Sequence, residues 1–372
     1  MADVGRAYVR VGDPASIADE LFVRMGVDDP RLIVVVADVD YDGAILGRQM
    51  CARAPRATVI GCSTAGEFTD QAYGHGGVAA MALGPSVVVR SAAAMATFDQ
   101  GVEVGIRAAC AKLSKCFEPN LRDLDPDRHV GIVLFDGTSG REDEANDILA
   151  HMSPFLSFVG GSAGDHLEFA KTWVSCGSET RAEGAVIALL ETNVPTSIVK
   201  TASFVNTGFR FLVTRADKRV VHEMNGKPAA QAYAEELGID IQKIDENVLS
   251  RHPLAIVIDG DPWVRSPLLV TPARAMVFAS RVHEGTELSL LAPGDILGDT
   301  RKALTRSRAF HPQGVRSGLF FNCAHRRLLL DALGQMSAYH SLFADHPSLG
   351  FHTYGESYLA HMNSTMVGVL FG

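Results

Sequence analysis

The sequence predicts a mixed α/β protein whose duplicated strand-helix-strand units form layered sheets in two lobes around a central crevice. Three observations predict it: short apolar runs end in polar tips, amphipathic helices follow them, and the next strand ends in small residues, a glycine and a carboxylate. The repeat is written three times. The first copy runs Leu32-Ile33-Val34-Val35-Val36, Asp38, a helix, then Thr58-Val59-Ile60-Gly61-Cys62-Ser63-Thr64-Ala65-Gly66-Glu67. The second runs Val130 to Phe135, Asp136-Gly137, a helix, then Phe158-Val159-Gly160-Gly161-Ser162-Ala163-Gly164-Asp165. The third is Leu319-Phe320-Phe321-Asn322-Cys323, a helix, then Leu349-Gly350-Phe351-His352-Thr353-Tyr354-Gly355-Glu356. A fixed internal repeat of this kind governs how the rest of a chain is read.

Each element has a local reason. Asp13-Pro14 opens the first helix, with Ile17, Leu21 and Met25 at i, i+4, i+8, and proline suits the first helical position. Leu46 and Met50 mark the buried face of a helix beginning near Tyr41-Asp42. After the first copy, 77–83 and 86–89 read as a hairpin, and after the second, 184–190 and 196–200 do the same. A helix from about Val102 turns Ile106, Cys110 and Leu113 inward. In the second copy, Glu142, Asp143 and Glu144 crowd a first helical turn, where acids complement the dipole, and Ile148 and Met152 follow. Continuous apolar runs bounded by Gly and Pro suit strands buried on both faces.

A boundary near Thr207-Gly208 separates lobes 1–207 and 208–372. Beyond it, 211–213 and 219–221 read as strands, Asn225-Gly226-Lys227-Pro228 turns into a helix through Tyr233 and Leu237, and 254–258, 275–280 and 288–291 are strands. The third copy's helix places Leu329, Leu333, Met336, His340 and Phe343 on one stripe. Met366 to Phe371 gives the closing strand.

Composition bounds function. The chain has 372 residues, is 47% hydrophobic and 21% charged, and carries a net charge of −9. Without a basic run, nucleic-acid and anionic-membrane surfaces are excluded as partners. No apolar stretch suits a bilayer span and the N-terminus lacks a signal pattern, so the expectation is a cytoplasmic protein. Six cysteines without CxxC spacing read as reduced thiols.

The strand ends carry the chemistry. Ser63, Thr64, Glu67, Ser162, Asp165, Thr353 and Glu356 come from the three glycine motifs. Asp136, Asn322 and Arg326 or Arg327 come from the other strand ends. In α/β sheets, ligands sit beyond the carboxyl ends of strands, where carboxylates and hydroxyls hold ammonium or hydroxyl groups and an arginine takes a carboxylate. That set suits an amino-acid-like zwitterion. The competing reading is of turns capped by the same Ser, Thr and Asp side chains. Gly160-Gly161-Ser162-Ala163-Gly164 also satisfies GxSxG, with Asp259 and His283 following in hydrolase order. The other copies break that motif, and the recurring group is the acid; catalysis is not expected. Cys62 and Cys323 end strands and read as buried thiols, and no zinc-ligand spacing occurs.

Gly61-Cys62-Ser63-Thr64-Ala65-Gly66-Glu67, Asp136-Gly137 and Gly160 to Asp165 resemble the N-terminal half of a FIST domain. Asn225-Gly226-Lys227-Pro228-Ala229, Asn322 to Arg327, Tyr354-Gly355-Glu356 and His361-Met362-Asn363-Ser364-Thr365 resemble its C-terminal half. The resemblance implies an intracellular sensor of small ligands, amino acids among them. Free-standing bacterial members of similar size include haem-binding nitric-oxide sensors (NosP-like) that act on a partner histidine kinase. Many relatives carry the domain fused to an output domain, and none is read up to Gly372, so the expectation is a partner in trans, with a homodimer compatible.

By that resemblance, the cofactor would be non-covalent haem b, since no CxxCH motif occurs. Haem asks for an apolar slot and an axial side chain. Nine of thirteen histidines lie between 222 and 361. The candidates for one axial ligand are His340 on the apolar stripe, His361 in the family motif, and His325 and His352 beside motif residues.

Overall fold

The computed structural model describes residues 2–118 and 120–372. Its contacts divide the chain into two compact units. One comprises Met1–Lys200, Arg301–His361 and Met366–Gly372; the other comprises Thr201–Thr300 and Met362–Thr365. All three repeats therefore lie in the first unit, and the chain leaves it between the second and third copies. The sequence-expected boundary at Thr207-Gly208 falls inside a strand, Phe204–Asp217, where Gly208 at φ +88° produces a register irregularity rather than a linker.

In the first unit the chain opens with β1 (Val4–Val9) and α1 (Pro14–Met25). The first repeat then supplies β2 (Leu32–Asp38), α2 (Gly43–Arg53), β3 (Thr58–Thr64), β4 (Glu67–Thr69), β5 (Tyr73–Gly74) and β6 (Val78–Leu83). The chain passes through β7 (Val88–Thr97) and α3 (Val102–Ser114) into the second repeat. There lie β8 (His129–Phe135), α4 (Glu142–Met152), β9 (Phe158–Ser162), β10 (Val174–Cys176), β11 (Glu179–Arg181) and β12 (Gly184–Thr192), followed by β13 (Thr196–Thr201).

The second unit is mainly antiparallel. It contains β14 (Phe204–Asp217), β15 (Val220–Met224), β16 (Lys227–Pro228), α5 (Ala229–Leu237), α6 (Glu246–Arg251), β17 (Leu254–Ile258), β18 (Asp261–Arg265), β19 (Pro267–Val270), β20 (Met276–Phe278) and β21 (Glu287–Pro293). Its sheet runs β18-β17-β21-β14-β15-β20-β19, with β16 on β15. Phe211, Val213, Met224, Tyr233, Leu254, Phe278 and Leu288 fill its core.

α7 (Ile296–Arg308) brings the chain to the third repeat: β22 (Ser317–Cys323), α8 (Ala324–Ala332), α9 (Met336–Ser341), β23 (Ser348–Thr353), β24 (Glu356–Tyr358), β25 (Ala360–Met362) and β26 (Met366–Phe371). The single helical stripe expected there is two helices. Gly334 at φ +64° ends the first, so Leu333 points to solvent while His340 and Phe343 are buried from a new direction.

Three six-stranded sheets follow one recipe. Their orders are β1-β6-β2-β3-β10-β11, β7-β12-β8-β9-β24-β25 and β13-β26-β22-β23-β4-β5. Each has a parallel pair at its centre, β2/β3, β8/β9 or β22/β23. Each also takes its last two strands from another repeat. The first repeat lends β4-β5 to the third sheet, the second lends β10-β11 to the first, and the third lends β24-β25 to the second. The exchange closes on itself.

The two expected hairpins are absent for the same reason. β6 is already paired on both edges, by β1 and β2, so β7 crosses to the second sheet. Likewise β12 sits between β7 and β8, and β13 leaves for the third sheet. β1, which carries no repeat signature, is an edge strand that the sequence reading did not anticipate.

Helices cover one face of the first two sheets. Ile17, Leu21, Leu46 and Met50 pack on Ile33, Val35 and Ala37, while Ile106, Leu113, Ala145 and Leu149 pack on Val133 and Phe135. Capping is local: Asp13 accepts from the Ala15 and Ser16 N–H groups and Asp42 from those of Ala44 and Ile45. The recurring glycines have a steric reason. A Cβ at Gly61 would sit 2.4 Å from the Val35 carbonyl oxygen, and one at Gly160 would sit 1.7 Å from the equivalent Val133 oxygen.

Candidate functional site

The three glycine motifs meet one another. Ala65 N–H donates to the His352 carbonyl and His352 N–H to that of Gly66. Ser162 N–H donates to the Gly355 carbonyl and Tyr354 N–H to that of Ser162. Gly164 N–H donates to the Ser63 carbonyl, and Ser63 N–H to that of Trp173. Copies one and three, three and two, and two and one are thus tied in a closed cycle.

The ten polar candidates converge on this hub as packed groups. Ser63, Thr64, Glu67, Asp136, Ser162, Asp165, Asn322, Thr353 and Glu356 are all at most 3% exposed. Glu67 accepts from Tyr8 Oη (3.2 Å), the Gly77 N–H (2.8 Å) and Thr64 Oγ1 (3.0 Å). Burial is the main cause that pushes its pKa up to about 7. Thr353 and Glu356 repeat the Thr–Glu contact at 2.5 Å.

The second copy departs from the pattern. Position 163 is alanine where the others have threonine, and the strand register places Val174 where they have Glu67 and Glu356. Asp165 instead organises the loop before β10, accepting from the N–H groups of residues 168–171 and from Tyr354 Oη. Burial alone would raise its pKa, but the Tyr354 hydroxyl and backbone donors hold it below the usual carboxylate value.

The remaining candidates also have partners. Asp136 accepts from Thr138, Thr172 and the Glu183 N–H. Asn322 takes hydrogen bonds from Arg326 (3.0 Å) and Tyr339 (2.7 Å) and donates to His352 Nδ1 at 3.0 Å. Ser63 Oγ accepts from the Trp173 N–H, and Arg327 donates to the Ala65 carbonyl. Ser162 points at Glu142 (3.3 Å), and the chain after it continues as a loop. A nucleophile elbow needs a helix at that point. Burial raises the Cys62 thiol well above its ordinary pKa, which suits an inert side chain.

The histidines differ sharply. His352 is engaged by Asn322, and His325 and His361 make further interactions. His340, on α9, is 6% exposed, and neither ring nitrogen has a hydrogen-bond partner. Its faces and edges are aromatic: Tyr73 stacks at 4.0 Å, Phe68 stands edge-on at 4.9 Å, and Tyr339 and His352 follow at 5.8 and 6.3 Å. Burial pushes its pKa down to about 3, so the ring is neutral near pH 7. Tyr73 was absent from the sequence-derived set. Its place on a strand lent by the first repeat to the third sheet has no local signature.

The FIST N domain matches residues 31–227 and the FIST C domain matches residues 229–358. The chain belongs to the FIST family. FIST domains generally sense small ligands. The chain is also similar to an uncharacterized protein of Methanocaldococcus jannaschii, 25% identical over 253 residues, which are 64% of this chain and 49% of the relative. The chain therefore spans about half the length of that relative. Among the described residues of this FIST protein, no helix is long and apolar enough to cross a membrane.

Proposed function

We propose that this FIST protein is a haem-based nitric-oxide sensor in which His340 would hold the haem. The observation that carries the reading is the buried His340 imidazole with both nitrogens unpartnered, since a buried polar group without a partner is costly and calls for a function. Its donor chemistry fits haem b: the ring is neutral, as an iron ligand must be, and aromatic side chains surround it. Phe68, Tyr339 and Phe343 keep water from the site. Tyr73, 40% exposed and stacked on the imidazole, covers it and would have to be displaced for a planar group to enter. Bound haem would supply an iron centre able to take a diatomic gas. Displacing Tyr73 shifts β5 at the edge of the third sheet, and a separate partner such as a histidine kinase reads that surface as a population shift.

The test is an absorption spectrum of protein made with haem supply, recorded ferric, ferrous and with nitric oxide. The expected result is a stoichiometric Soret band that moves with nitric oxide, is lost in His340→Ala and survives in His325→Ala. A protein that stays colourless on haemin titration overturns the haem reading. The polar-ligand alternative then stands on the buried Glu67 carboxyl, whose pKa burial raises to about 7, and amino acids screened by thermal shift would test it.

A further inference from the structure

We propose that a cleft at the opposite end of the parallel strands binds a small phosphate-bearing molecule through Arg31, Arg56 and Arg90. The cleft encloses about 480 Å³ and is lined by Arg31, Arg56, Val89, Arg90, Ser91 and Glu191. Arg31 immediately precedes β2, Arg56 lies in the turn before β3 and Arg90 is on β7, so the first two sheets both contribute. The hub described above lies at the other ends of β2 and β3, which makes this an independent site.

Its electrostatics are unusual for a chain of net charge −9. Asp29 pairs with both Arg31 (3.2 Å) and Arg56 (3.0 Å). Glu191 pairs with both Arg90 (3.0 Å) and Arg128 (2.7 Å). The cleft lining itself carries three guanidinium groups and one carboxylate, an excess of two positive charges, while Asp29 and Arg128 are ion-pair partners outside the lining. A phosphate monoester dianion carries the matching charge.

The donors are also held in place. Arg90 donates to the Cys116 carbonyl at 3.0 Å and lies 4.6 Å above the Phe117 ring, which fixes its plane. The Arg31 Nε–H is buried and has no acceptor. Ordinary surface ion pairs explain neither the excess charge nor the orphaned donor. The guanidinium fork matches phosphate oxygens two at a time. The cleft is larger than a bare phosphate requires and lies within the range of small-molecule sites, with Val89 offering an apolar wall for an organic substituent.

Isothermal titration at low ionic strength tests this, using the whole chain with inorganic phosphate, pyrophosphate and adenosine monophosphate as probes. One-to-one binding of at least one probe is expected, weakening as salt is added. Arg56→Gln and Arg90→Gln should each lower affinity about tenfold, whereas Arg181→Gln, whose guanidinium pairs with Glu179, should leave it unchanged. The Arg56 side chain is 72% exposed, so its loss leaves the core intact. Tighter binding of the nucleotide than of inorganic phosphate identifies an organic ester as the ligand; equal or tighter binding of phosphate identifies the free ion. Absence of saturable binding by all three probes, or equal affinity in Arg56→Gln and Arg90→Gln and the unaltered chain, overturns the proposal.

Discussion

Glu67→Gln tests how the hub is held together. The Glu67 carboxyl is fully buried, and loss of hydration raises its pKa from 4.5 to about 7 against the lowering effects of Gly77, Thr64 and Tyr8. The folded state therefore holds this proton more tightly than the unfolded chain. Its contribution to stability is fully present below pH 4.5 and is lost as pH rises to about 7. Each pH unit across that window costs about 1.4 kcal/mol, or about 3 kcal/mol in all. Glutamine copies the protonated acid: its oxygen can accept from Gly77 and Tyr8, and its amide N–H can donate to Thr64. The advantage of the variant over the unaltered chain should grow by about 3 kcal/mol between pH 4.5 and pH 7 and then level off. Urea unfolding at a series of pH values, followed through Trp173 in a Trp263→Phe background, measures it. Two parallel pH profiles would refute the reasoning, because they would mean that Glu67 titrates alike in the folded and unfolded chains.

Other substitutions probe the same architecture. Gly160→Ala pushes a methyl group into the Val133 carbonyl and should cost about 1–3 kcal/mol by urea denaturation. Asp165→Ala strips the acceptor from the loop N–H groups of residues 168–171 and from Tyr354, with an expected loss of about 2–4 kcal/mol. That variant should also be nicked by protease between residues 166 and 173; unchanged stability and protease resistance would show that the loop holds its shape without Asp165.

What could be read from the sequence depended on the range of the interaction. The apolar runs at Leu32–Val36, Val130–Phe135 and Leu319–Cys323, the capping aspartates at 13 and 42 and the repeated glycines are local signals, and each marks the element the structure contains. That the backbones of the three motif ends meet was also legible, because three strand ends of the same design invite a shared centre. Their chemistry was not. Asp165 is fastened by Tyr354, 189 residues away, and Glu67 by Tyr8 on a strand outside the repeat.

The sequence by itself determined three strand-helix-strand repeats and membership of a small-ligand sensing family. Only the tertiary structure decided that the repeats exchange their last strands in a cycle, that β6 and β12 do not form hairpins, and that Tyr73 covers His340. The physical reason is that a strand buried on both faces reads as an unbroken apolar run whichever sheet it joins. Its partner is chosen by which neighbouring edge is left open, and that choice exists only once all three repeats are assembled.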